Sequence, residues 1–273
     1  MKMEKARHIS ETARREMTAE VLALAYPRST ALGKRAVIDV IAATMDSLGD
    51  SLHQVWIEDA TGKRHTYKLA QARAVLGERA DFRYLWAIPE SERRNSKSRW
   101  LTAVTIDNVA VDGATLFFGL PQVLRKEFAP HLALVRMLAQ AGVVPQYGFG
   151  YEREYGDPDY KAFDRPGWVR SAALGKVSAG HRAEPRDRYA RTLIVDVFPV
   201  NVLSDAHLRQ KVAGESLKEW ILHTTGPKSL MQVEPRCFAW FVPASQTAAL
   251  SARLKAPGTM RCERTEAVFV SEC

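Results

Sequence analysis

The residues with the clearest chemical potential lie in YEREYGDPDY, residues 151–160. There Glu152, Glu154, Asp157 and Asp159 crowd carboxylates into one short stretch. Closely spaced carboxylates can hold a divalent cation, which hydrolytic phosphate chemistry would use. Glu152, Asp157 and Asp159 are the candidate ligands, with Lys161 as the neighbouring cation. The run Pro158-Asp159-Tyr160-Lys161 echoes a PD…(D/E)xK nuclease core. That core, however, carries its second acid and lysine on a separate strand. The plainer reading is a solvated turn around Gly156 and Pro158.

A second constellation is basic. Residues 63–99 hold ten Lys/Arg against four acids, and so carry +6 of the chain's +8. Arg64, Lys68, Arg83, Arg93, Arg94, Lys97 and Arg99 are its candidate phosphate contacts. Tyr67, Phe82, Tyr84 and Trp86 are interleaved with these cations, and charge beside stacking surface is what single-stranded nucleic acid uses. The aromatics also alternate at strand spacing, and the simpler expectation is one core face and one solvated face.

The third is a long stretch without periodicity, Gly156–Tyr189. Residues 151–191 hold nine basic and seven acidic side chains. Tyr155, Tyr160, Phe163 and Trp168 stand there among Arg165, Arg170, Arg186 and Arg188. Aromatics mixed with arginine are typical of protein–protein hot spots, which makes these the candidate partner-binding residues.

Other signatures are missing from the sequence. It contains no phosphate-binding glycine loop, no dinucleotide fingerprint, no H-E-x-x-H and no G-x-S-x-G. The histidines, at 8, 53, 65, 131, 181, 207 and 223, form no pair at metal-ligand spacing. Cys237, Cys262 and Cys273 are far apart and odd in number, against a disulfide framework or a zinc site. No catalytic residue and no cofactor is assigned. Cys237, in a strand-like apolar run, reads as core.

Composition sets the frame for these groups. Of the 273 residues, 46% are hydrophobic and 26% charged, as in globular proteins. The pI near 9.5 favours acidic partners, whether nucleic acid, anionic lipid or protein. No run of about 18 apolar residues spans a membrane. Met1–Met17 lacks the apolar stretch of a secretory signal, so a cytoplasmic location is expected.

The elements that must position these groups begin with Ser10–Leu24, which fits a helix, or with Val21–Tyr26, which fits a strand ended by Pro27. Thr30–Leu48 is an amphipathic helix stopped by Gly49. Strands follow at Leu52–Ile57 and Arg64–Leu69 around a Thr61–Gly62 turn. A short helix or irregular link covers Ala70–Leu76, and Phe82–Ile88 reads as a strand near a sheet edge because it ends at Pro89. Glu90–Arg99 is a polar loop. The central block is strand Trp100–Ile106, strand Ala114–Gly119, helix Pro121–Ala141 and strand Val143–Tyr151. Pro121 is expected at the helix's first position, Pro130 as a kink and Gly142 as its stop. Arg191–Val200 is a buried strand, and Ser204 caps a helix through Lys211. A helix at Ser216–His223, a strand at Phe238–Val242, a helix at Ser245–Leu254 and a strand at Ala267–Val270 complete the chain. The pattern predicts an α+β fold with a mixed or mainly antiparallel sheet and amphipathic helices packed on it. It also fits two related α/β units, 1–98 with the basic segment and 99–273 with the long loop at 156–190.

The C-terminal half resembles a known family. DVFPVNVLSDAHL (Asp196–Leu208), ESLKEWI (Glu215–Ile221) and CFAWFVP (Cys237–Pro243), ahead of a last helix, are similar to bacterial immunity-type proteins. These accompany interbacterial toxins such as type VI secretion effectors. VPQYGFGYEREYGDPDY (Val144–Tyr160) adds to the likeness, which covers about the last 130 residues. It implies a non-enzymatic α+β protein that binds and blocks a cognate toxin, and it carries over no catalytic residue. The basic pI departs from immunity proteins of basic nucleases, which are commonly acidic. Three functions therefore stand in order: toxin-binding immunity protein, nucleic-acid-binding protein, and metal-dependent hydrolase.

Overall fold

Both faces of the first strand are covered, and the rest of the sheet grows from it. In the computed structural model, residues 18–26, 35–78, 82–90, 103–107, 114–121, 129–154, 194 and 197–255 are described. β1 (Thr18–Tyr26) is a strand, which settles the choice between helix and strand left open by its pattern. Its even positions Leu22, Leu24 and Tyr26 point to one core, and its odd positions Ala19, Val21, Ala23 and Ala25 to another. All seven are at most 3% exposed, so a near-continuous apolar run is what this position demands.

A ten-stranded sheet surrounds β1, in the order β11-β12-β8-β7-β1-β6-β5-β4-β2-β3. Its members are β2 (Leu52–Asp59), β3 (Arg64–Tyr67), β4 (Phe82–Pro89), β5 (Ala103–Asp107), β6 (Ala114–Pro121), β7 (Tyr147–Glu154), β8 (Val200–Ser204), β11 (Leu230–Glu234) and β12 (Cys237–Phe241). A separate small ribbon pairs β9 (Lys211–Val212) with β10 (Glu215–Ser216). Every pairing in the large sheet is antiparallel, so the fold is the expected α+β class in its antiparallel form. β4 and β5, which lie on either side of residue 98, pair directly. β4 is an interior strand between β5 and β2, not a near-edge one. Pro89 is tolerated because it closes the strand opposite Leu52 at a register shift.

One face of the sheet carries α1 (Arg35–Ser47), α2 (Leu69–Glu78) and α3 (Ala129–Gln140). Counting antiparallel steps, β2 runs parallel to β1 and β7 to β6, so α1 and α3 are both crossover helices. They end alike. Gly49 and Gly142 stand just past them at φ +77° and +81°. Asp50 N–H reaches Met45 O at 3.1 Å, and Val143 N–H reaches Leu138 O at 2.8 Å. Gly49 N–H donates to Asp46 O and Gly142 N–H to Ala139 O, completing a Schellman closure in each case. One proline differs from expectation. Pro121 ends β6 opposite Ala19 instead of opening the helix. Pro130 is the second residue of the described part of α3, and the residues before it, 122–128, lie outside the described residues.

The opposite face carries α4 (Asp205–Leu208), α5 (Leu217–Thr225) and α6 (Ala244–Lys255) over the β7–β12 end. Ala23 pairs with both Phe117 and Phe149, and its methyl leaves the volume those rings fill. Of the strand expected at Arg191–Val200, residues 191–193, 195 and 196 lie outside the described residues, and β8 begins at Val200. Before it, Ile194 makes an isolated bridge, while Val197 and Phe198 are buried on irregular backbone. Asn201 supplies the hydrogen bonds a partner strand would have given. Its side chain accepts from Phe198 N–H at 3.0 Å and donates to Phe198 O at 2.7 Å. The helix begun at Ser204 ends at Leu208, short of Lys211. The strand expected at Ala267–Val270 lies outside the described residues.

Candidate interaction surface on β2, β3 and β4

The hairpin of β2 and β3 sets this surface. Its turn is closed by Asp59, whose Oδ1 accepts from Thr61 Oγ at 2.6 Å, Thr61 N–H at 2.9 Å and Lys63 N–H at 3.0 Å. Gly62 takes φ +84°, which a side chain would strain. With the turn fixed, the β2–β3 register follows, Trp56 facing Thr66 and Glu58 facing Arg64, while on the other side β4 sets Trp86 against Trp56 and Tyr84 against Glu58. Val55 and Ile57 point into the core, so Trp56 and Glu58 point to the other side.

There the side chains form one cluster. The Arg64 guanidinium lies 5.5 Å from the Trp56 ring centroid and 5.1 Å from that of Trp86. Tyr84 stands beside Trp86 with centroids 5.4 Å apart, and Arg83 lies over Tyr84 at 5.9 Å. Glu58 sits between the cations, 3.9 Å from Arg64 and 3.9 Å from Arg83. The three aromatic residues are half-buried, while the Arg64 side chain is 54% exposed. Cation–π contacts at such sites contribute about 0.5–1 kcal/mol each, and exposed ion pairs about 0–1 kcal/mol. The result is an ordered patch of aromatic and guanidinium planes. Among the described residues, no helix packs on this side of β2–β4.

No family model matches the sequence, and no curated protein matches it. Among solved structures, the chain is similar to a Pseudomonas aeruginosa T6SS protein, PA0821. The TM-score is 0.47 and the identity 15%, over 82% of this chain and 68% of that one.

The expected basic stripe is only partly described. Arg64 and Arg83 come together in the cluster above. Lys68 is exposed just past β3. Arg93, Arg94, Lys97 and Arg99 lie outside the described residues. Arg73 is engaged elsewhere, bonding Asp39 of α1 at 2.5 Å. The aromatics divide as strand alternation requires: Phe82 is buried and Tyr67 packs against the same core, while Tyr84 and Trp86 face the other way. The proposed partner contacts Tyr155, Tyr160, Phe163, Arg165, Trp168, Arg170, Arg186 and Arg188 are outside the described residues, as are Asp157 and Asp159. Glu152 belongs to β7, not to a turn, and pairs across the ladder with Glu20. Among the described residues no group of three acidic, histidine or cysteine side chains could hold a metal, and no helix is long and apolar enough to cross a membrane. Cys237 is buried, as its apolar run implied, and burial pushes its thiol up to about 12.

Two features escaped the sequence reading. Trp56 reads in sequence only as part of the strand Leu52–Ile57, and its place opposite Trp86 comes from the β2–β4 pairing. His65 looked solitary in sequence. In the fold its Nε2 lies 3.1 Å from Asp59 Oδ2, a contact the same turn creates.

Proposed function

We propose that this chain is a protein-binding protein of the immunity type, which neutralises a bacterial toxin by occupying it. The supporting observation is the Trp56–Arg64–Trp86 stack with Tyr84, Arg83 and Glu58 around it. Trp, Tyr and Arg dominate binding hot spots because they bring large contact area at low entropic cost. Their mutual contacts here hold them ready before a partner arrives. The resemblance of the segments at Asp196–Leu208, Glu215–Ile221 and Cys237–Pro243 supports the same reading. Nucleic-acid binding ranks behind it, because Glu58 sits within ion-pair distance of both arginines and would face any phosphate they held.

The test is purification of the tagged chain from its native host, alongside an Arg64→Ala, Trp86→Ala double variant of confirmed fold. A toxin enriched by the wild type, lost by the variant and neutralised on co-expression is the expected result. Equal enrichment by both proteins would remove this surface from the proposal. Tight, salt-sensitive binding of a single-stranded oligonucleotide with no protein partner would replace it with the nucleic-acid reading.

A further inference from the structure

On the opposite side of the same hairpin, a cavity of about 350 Å³ opens between β2, β3 and α2. Ile57, Tyr67, Val75, Leu76 and Phe82 line it with apolar and aromatic surface, and Asp59, Thr61 and His65 are the polar groups on its wall. Its volume is in the range of small-molecule sites, and a few convergent polar groups on apolar walls are their usual make-up.

The polar groups are ordered in a particular way. Asp59 Oδ1 is saturated by the Thr61 hydroxyl and two backbone N–H groups. These bonds, the Thr61 hydroxyl first and His65 next, hold the carboxyl well below the usual carboxylate range, so it is ionised. An ionised carboxylate can only accept, so His65 Nε2 is the donor in the 3.1 Å bond to Asp59 Oδ2. In its neutral form the imidazole then keeps its lone pair on Nδ1, for which no hydrogen bond stands among the described residues. Tyr67 stacks on the ring at 6.1 Å between centroids and 21° between planes, fixing its orientation. The site thus offers an acceptor on His65 beside aromatic walls.

The geometry points to a binding site for a neutral phenol-type ligand, its ring against Tyr67 and Phe82 and its hydroxyl donating to His65 Nδ1. A carboxylate ligand would meet the Asp59 charge. This site lies across the sheet from the Trp56–Trp86 surface and does not depend on the partner-binding proposal.

The experiment titrates the full chain with p-cresol, following the His65 imidazole nitrogens by NMR, with toluene and 4-methylbenzoate as comparisons. The expected result is a saturable shift at His65 Nδ1, with p-cresol bound about tenfold or more tightly than toluene and the carboxylate not bound. His65→Phe should erase the preference for p-cresol, and Val75→Trp, which fills the cavity, should remove binding of both. A Gly-Tyr-Gly peptide distinguishes the source of the phenol: tighter binding than p-cresol assigns the ligand to a polypeptide tyrosine, weaker binding to a free small molecule. Equal affinity for p-cresol and toluene, or no saturable change at His65, would overturn the assignment. The wild-type titration decides this even if a variant fails to fold.

Discussion

Gly148 gives the sharpest test of how the sheet is packed. It pairs with Leu24 on β1 and Val202 on β8, in the middle of the most buried region. A Cβ placed there would lie 2.6 Å from Leu24 Cδ2, 2.7 Å from the Ala23 carbonyl oxygen and 3.3 Å from Val202 Cβ. Carbon contacts are comfortable near about 3.5–4.0 Å, so the methyl group is short of space by about 1 Å. Leu24 is 0% exposed, so turning it away would press it into other core side chains. The Ala23 oxygen is backbone and can move only with the strand. Overpacking of this kind costs about 1–3 kcal/mol, and two obstructions in one place put Gly148→Ala at about 3 kcal/mol. Restriction of the unfolded chain returns about 0.4–1 kcal/mol, leaving a net loss of about 2 kcal/mol. With a urea m-value of about 3 kcal/mol/M, the midpoint followed by tryptophan fluorescence should fall by about 0.7 M. Leu24→Ala removes one obstruction but leaves the oxygen. Gly148→Ala should therefore cost about 1 kcal/mol less in that background, a non-additivity a double-mutant cycle reads directly. A neutral Gly148→Ala, or strict additivity with Leu24→Ala, would refute the packing argument.

Further outcomes follow from other single groups. Tyr26 is 1% exposed, its hydroxyl has no hydrogen-bond partner among the described residues, and burial, with Cys237 nearby, pushes its pKa far up. Tyr26→Phe should therefore stabilise the protein by about 1 kcal/mol in urea unfolding, and a loss of that size would mean the hydroxyl is satisfied. Ser216 caps α5, accepting from Glu219 N–H at 3.2 Å while its own N–H donates to Glu219 Oε2 at 2.8 Å. Ser216→Ala should cost about 1 kcal/mol and Ser216→Gly much less, and the reverse order would show the cap contributes little. For Asp59 the folded pKa lies below the unfolded one, so its contribution is present above the unfolded value and is lost as pH falls toward the folded one. The stability difference between wild type and Asp59→Asn should be full at neutral pH and shrink below about pH 4, and denaturation curves across that range should show it. A difference independent of pH would contradict the proposed hydrogen bonds.

What was legible in the sequence was mostly local. The apolar spacing of Val37, Ile41 and Met45 and the glycine after each crossover helix gave α1 and the end of α3, because helix faces and Schellman closures are written within a few residues. Alternation in RYLWA separated Leu85 from Tyr84 and Trp86. Long-range pairing was not legible. Nothing in TAEVLALAY says that it lies between β6 and β7, and uniform apolarity there leaves helix and strand equally plausible. Pro121 was expected to open the helix because proline at a strand end and proline at a helix start leave the same mark in sequence. Val197 and Phe198 read as strand because apolarity reports burial and not backbone geometry; Asn201, which bonds both backbone groups of Phe198, reads as an ordinary polar position. The interaction surface was half legible: Tyr84, Trp86, Arg64 and Arg83 were named as one basic, aromatic segment. Glu58 and Trp56 joined them only when the hairpin register was known, and they turn a basic stripe into a mixed-charge patch.

Magnitudes also separate a structural role for that patch from a binding one. If Arg64 serves only the fold, its worth is limited to two exposed cation–π contacts and one long ion pair, about 3 kcal/mol at most. If it anchors a partner, truncation removes contacts that become dry on binding, and hot-spot losses run to about 2–4 kcal/mol in affinity. Arg64→Lys distinguishes the two. An ammonium keeps the charge near Glu58 but gives up the planar stacking between Trp56 and Trp86. We expect Arg64→Lys to lower stability by under about 1 kcal/mol while weakening binding of the proposed partner at least about tenfold, measured on the same protein by urea unfolding and calorimetry. A stability loss as large as the affinity loss would mean that the stack is there to hold the hairpin, and the partner surface would have to be sought elsewhere.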